Sequence, residues 1–398
     1  MDRFRLDIQQ ARHRHHRHQV SLENVINLRA TKQLSAPERA QARTKFASIT
    51  SHFETANPGL SSAPYDKLKL FRLTYEYSRS EESRDIFLLA FMQSAKLAID
   101  DQPLDLTDRD VEASICSTIS EFADFLIESF FLPLRASSKQ TPRPSPTIHS
   151  AIQRAQGGGV QDVAGTPGRL STLRTDCLNR DRFRCVVSNT FDYSEAARRF
   201  NVDGDKARDD DGNLLEDERG FANIQAAHII PHSLTETEDD GGLHPFKKAT
   251  LDILNMFDYG VLGLIEGDSI DKPRNALCLT SEIHHSFGEF KVFFRPVSDA
   301  ASHTYYIDTF MPRPMLPFLP TTRTLALTET RTIDPPSPRL LAIHCAICQI
   351  LHLSAAGKYI EEILDDFDKS AVASDGTTEL GNLVTLGMAG WLNKSVRA

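Results

Sequence analysis

Ala226-Ala227-His228-Ile229-Ile230-Pro231-His232 and, further on, Asn275-Ala276-Leu277-Cys278-Leu279-Thr280-Ser281-Glu282-Ile283-His284-His285-Ser286-Phe287 decide the fold of this 398-residue chain. Residues 224–231 predict a strand that ends at an Ile-Ile-Pro turn, with His228 at its tip. Residues 276–279 predict a short apolar strand, and residues 281–287 a short helix capped by Ser281. His284 lies nine residues after Asn275. A strand end and a helix one hairpin away can carry two imidazoles to one place.

Phosphodiester hydrolysis needs such a place. A base must activate water, a cation must stabilise charge on the phosphate and the leaving oxygen, and the cation's ligands must be held rigidly. Neither stretch is specific alone, because a His-Ile-Ile-Pro turn suits any buried histidine. The ordered set, framed by Ile229, Leu277, Leu279 and Phe287, is more specific. Isolated histidines near apolar segments are usually satisfied core or surface groups, and His244, His303, His344 and His352 are read that way.

The set resembles the HNH endonuclease family, closely over residues 226–231 and 275–287 and more loosely over residues 181–188. The chain is also similar to fungal proteins that carry this domain between other segments. The resemblance implies an α+β fold with a ββα-metal, HNH-type nuclease domain. His228 would then be the general base, Asn275 would brace the turn around it, and His284 would bind one divalent metal, with Mg²⁺ expected and Mn²⁺, Ni²⁺ or Zn²⁺ as alternatives. One position departs from the pattern. Many members place a metal-binding Asp or His directly before the base, and here that residue is Ala227. His232 or His285 could supply the missing contact, or phosphate oxygens could complete the shell. Alternatively His228 is itself a ligand and another group is the base.

Working outward, residues 173–297 alternate short apolar runs with loops. Residues 184–188 predict an entry strand, residues 259–265 a strand or packed turn, and residues 291–294 and 304–307 paired closing strands. Residues 1–32 and 37–55 predict helices, and the pattern from 63 to 132 is helical. Ile115, Ile119, Phe122, Phe125, Leu126, Phe130 and Phe131 recur at threes and fours, with Asp105-Leu106-Thr107 as the expected N-cap. A Pro-rich loop precedes an apolar helix through Leu340 and Leu351 and a further helical stretch over 357–367. The expected organisation is an α-helical N-terminal region (1–135), a flexible linker (136–170), the nuclease domain (171–310), a Pro-rich loop with C-terminal helices (311–370) and a weakly structured tail (371–398).

Other signals are discounted. The run Arg12-His13-Arg14-His15-His16-Arg17-His18 is read as a solvated face. Residues 207–218 partly match a calcium loop, but Ala207 stands where a carboxylate is needed. Cys345 and Cys348 have metal spacing inside an apolar helix and are read as core thiols; no structural zinc is expected. No apolar run is long enough for a membrane span, the N-terminus lacks a secretory core, and an intracellular protein is expected. The net charge of −9 weighs against nucleic-acid binding, although much of the acid sits in predicted loops. The reading is therefore a DNA endonuclease, with RNA as a weaker alternative substrate. The competing reading is a non-catalytic interaction protein that keeps a degenerate HNH scaffold.

Overall fold

Aromatic packing organises the helices at the start of the molecule. The structure, a computed structural model, describes residues 26, 28, 33–56, 59–61, 64–138, 167–235, 243–328 and 332–368. The helix expected over 1–32 apart from residues 26 and 28, its His-rich run, most of the expected linker and the tail from 371 lie outside these residues. Helices α1 (Ala36–Ala56), α2 (Lys67–Glu76), α3 (Glu81–Ser94) and α4 (Arg109–Leu126) surround a cluster of Phe46, Phe71, Phe87, Phe91 and Phe122. On α4 the buried residues Ile115, Ile119, Phe122, Ala123 and Leu126 form the expected stripe. Its cap is Asp108, whose side chain accepts from the backbone of Asp110 and Val111. Asp105 instead accepts from Thr107 in a turn of its own, so the expected cap position was one turn early. A wide π-type turn, Ile127–Phe131, leads into α5 (Leu132–Ser138). Helix therefore occupies residues 136–138, which the linker reading had assigned to soft chain.

Helix α6 (Pro167–Arg180) likewise begins inside the expected linker. It ends on a buried staple. Arg180, with no exposed side-chain surface, pairs with Asp181 and donates to the carbonyls of Pro273 (2.7 Å) and Ala276 (3.0 Å). Asp181 also accepts from the backbone N–H of Cys278. The C-terminus of α6 is thus fixed to the strand that leads into His284.

The expected entry strand at 184–188 is not a strand. Arg182, Phe183 and Asn189 adopt positive φ (53°, 57° and 64°), and Cys185 N–H donates to Thr190 O across the resulting knuckle. Positive φ at non-glycine residues is costly. Here it turns Phe183 towards Phe191, with the guanidinium of Arg199 over both rings. Strand β1 (Phe191–Asp192) pairs in parallel with β2 (Phe221–Ala222), and α7 (Tyr193–Asp203), capped by Asp192, connects them.

Strand β3 (Ile224–His228) pairs antiparallel with β4 (Ala276–Thr280), Ile224 facing Thr280 and His228 facing Ala276. Helix α8 (Pro245–Phe257) lies between them in sequence and turns Phe257 onto Phe130, with ring centroids 5.3 Å apart. Residues 261–264 form a 3₁₀ turn, which settles the open choice for 259–265 as a packed turn. Helix α9 (Ser281–Gly288) follows β4 directly and packs on both β3 and β4. Its N-cap is Thr280 rather than the expected Ser281.

Strands β5 (Val292–Pro296) and β6 (Thr304–Thr309) pair as expected, and an unanticipated β7 (Thr321–Thr324) adds to β6. Helix α10 (Pro338–Leu353) is apolar nearly all round and buried accordingly, lying on β5 and α2. Cys345 and Cys348 sit in this core, where burial raises both thiols' pKa. Helix α11 (Ala356–Asp368) packs beside α10. No single described helix is long and apolar enough to cross a membrane. One continuous set of buried apolar residues runs from Leu28 to Leu364.

Candidate functional site

The site is built where β3 runs out. Past His228 the chain turns through Ile229 and Ile230, and Asn275 holds that turn. Asn275 has no exposed surface. Its Oδ1 accepts from Ile230 N–H at 2.9 Å, and its Nδ2 donates to Ile230 O and Ile270 O, both at 2.9 Å. Its backbone O accepts from Ile229 N–H at 2.8 Å. All three side-chain bonds go to backbone, so the amide acts as a rigid clamp between two turns. Leaving any one of those buried groups without its bond costs about 1–3 kcal/mol.

His228 has 5% of its side chain exposed. Its Nε2 lies 3.0 Å from Asp271 Oδ1, and its Nδ1 is buried with no hydrogen-bond partner among the described residues. Burial lowers the His228 pKa, with Asp271 opposing and His232 reinforcing the shift. The imidazole is therefore neutral near pH 7.

His284 is carried by α9, and its Nδ1 meets the Oε1 of Gln225 on β3. An amide oxygen only accepts, so Nδ1 carries the proton and Nε2 is the unprotonated nitrogen. Burial, followed by the neighbouring His228 and His285, lowers the His284 pKa to about 4. The two imidazoles named from the sequence are thus near enough for a charge on one to be felt by the other. His232 stands beside His228, with ring centroids 5.4 Å apart. His285 turns outward, 69% exposed, and lies 3.5 Å from Glu289. Ala227 is fully buried opposite Leu277.

Because His284 stays neutral down to about pH 4 in the folded chain, the unfolded chain takes up the proton first, near pH 6.5. No cost arises above that value. As pH falls from about 6.5 to about 4 the unfolded state gains, and stability declines. A melting temperature that drops between pH 7 and pH 5, with a smaller drop in His284→Gln, is the expected result.

Sequence reasoning missed two residues. Gln225 sits three places before His228 with nothing to mark it. Asp271 ends the 3₁₀ turn Gly267–Asp271, where no periodicity applies. Its only signal was an acid four residues before Asn275.

The net charge counted against nucleic acid, but four acids of residues 203–218 are paired with nearby arginines. Arg184 bonds Asp209 and Glu218, Arg199 bonds Glu195 and Asp210, and Arg182 pairs with Asp211. Asp209 also accepts from the backbone N–H groups of Asp211 and Asn213. These bonds hold the loop together, and Ala207 is buried in a small cluster with Phe191, Ala196 and Leu215.

A family model described as HNH endonuclease matches residues 185–295. This segment is an HNH domain. No curated protein and no solved structure matches the chain. The matched segment holds His228, Asn275 and His284, together with Gln225 and Asp271. The family is one of nucleases, hydrolases of nucleic acid that generally use a divalent metal. Among the described residues of this HNH domain no three His, Cys, Asp or Glu side chains gather as a metal set. Neutral imidazole is the form that binds a cation, so His284 fits as one protein ligand in an open shell and not as part of a closed cage.

Proposed function

We propose that this protein is a metal-dependent endonuclease that hydrolyses DNA phosphodiester bonds through a ββα-metal site made by β3, β4 and α9. The observation that carries this is the placement of two buried imidazoles close together, His228 at the end of β3, where Asn275 clamps the turn, and His284 on α9, held by Gln225 of the same strand. His228 takes a proton from the attacking water. Asn275 keeps the turn from relaxing when that ring becomes charged. His284 is the protein side chain that would hold the cation, through Nε2. When bound, the metal stabilises charge on the phosphate and the leaving oxygen.

The buried Ala227 and the short donor set favour a second reading, a non-catalytic scaffold. Nicking of supercoiled plasmid in Mg²⁺, Mn²⁺, Ni²⁺ or Zn²⁺, with a matched RNA substrate, separates the two. His284→Ala is expected to raise the metal concentration for half-maximal nicking about 10-fold or more. No cleavage and no metal binding under any of these ions would leave the scaffold.

A further inference from the structure

Resting on the nuclease reading, we propose that Asp271 is a positioning residue that holds His228 as the Nε2–H tautomer, so that Nδ1 is the nitrogen that takes the proton from water. The carboxylate and the ring are both nearly buried, with 2% and 5% of their side chains exposed, at 3.0 Å. An ionised carboxylate only accepts hydrogen bonds, so the proton between the two belongs to Nε2. The other nitrogen is then an acceptor. That nitrogen, Nδ1, is the one buried without a partner among the described residues. A buried acceptor left unmatched is costly.

The clamp supports the same arrangement. Asn275 bonds Ile230, two residues after His228, and Ile270, the residue before Asp271. One buried amide therefore fixes the base and its acid relative to each other.

In the step that follows, a water O–H bond breaks and its proton moves to Nδ1. The hydroxide oxygen bonds to phosphorus as the bond to the leaving oxygen breaks, and the leaving oxygen takes a proton from solvent. The resulting imidazolium keeps its Nε2–H on Asp271. The carboxylate orients the ring and stabilises its charge without itself taking the proton, as in other carboxylate–histidine pairs.

The test reads ring-nitrogen ¹⁵N resonances of His228 in the full chain and, separately, plasmid nicking. In the wild type the expected pattern is neutral Nε2–H. Asp271→Asn presents an amide that can donate, and is expected to move the ring towards Nδ1–H and lower kcat about 10²-fold with KM unchanged. Asp271→Glu should recover part of that loss. A wild-type Nδ1–H ring would overturn the proposal. So would a Zn²⁺ titration that places the metal on Nδ1. Nicking lost in His228→Ala but unchanged in Asp271→Asn overturns the role of Asp271 and leaves the nuclease reading standing. Absence of nicking by the wild type under every metal removes the nuclease reading and the proton transfer together, whatever tautomer the resonances show.

Discussion

His228→Ala is expected to lower metal-dependent nicking by about 10²–10⁴-fold, the usual contribution of a positioned general base. The loss should appear in kcat, because the ring meets water and no distant part of the substrate. Folding should survive. Asn275 bonds the backbone of residues 229 and 230, not the ring of His228, so the turn stays clamped when the imidazole is removed. Circular dichroism and a melting curve separate lost chemistry from lost structure. A folded His228→Ala chain that nicks at the wild-type rate would remove His228 as base.

Asp181→Ala is expected to destabilise the fold by about 3–5 kcal/mol, because it strands a fully buried guanidinium. Arg180 would keep its bonds to the carbonyls of Pro273 and Ala276 but lose its counter-charge. Cys278 N–H would lose its acceptor as well. Replacing both partners with apolar residues of similar volume should recover much of the loss, since a buried ion pair offsets its own desolvation poorly. Urea unfolding of the single and double variants measures both values. A single variant within about 1 kcal/mol of wild type would show that water reaches Arg180.

The parts of this molecule that could be read from sequence are those in which neighbouring residues decide the outcome. The stripe on α4, the strand ending at His228 and the helix carrying His284 each follow from local spacing. Residues 184–188 mislead because Cys185-Val186-Val187 has strand composition, while the chain turns there through positive φ at Arg182, Phe183 and Asn189, with half-buried Phe183 against buried Phe191. Asp271 could not be found by pattern, since its meaning lies in a contact spanning 43 residues. Helix α8 did carry a signal in Ile253, Leu254 and Phe257, all fully buried, which the surrounding polar residues obscured. The clamp at Asn275 is intermediate. Family resemblance supplies its role, and only the coordinates show that the same amide also holds the turn of Asp271.

His344 of α10 donates to Phe287 O at the end of α9, and its ring is sandwiched by Phe287 and Phe290 at 3.8 and 4.7 Å. A residue well past the matched segment thus props the helix that bears His284, while α2, from well before it, also packs on α10. This HNH unit is consequently not a portable cassette. Excised at residues 185 and 295, it would present raw apolar surface to water and tend to clump. Truncations that preserve the unit need to keep both neighbours.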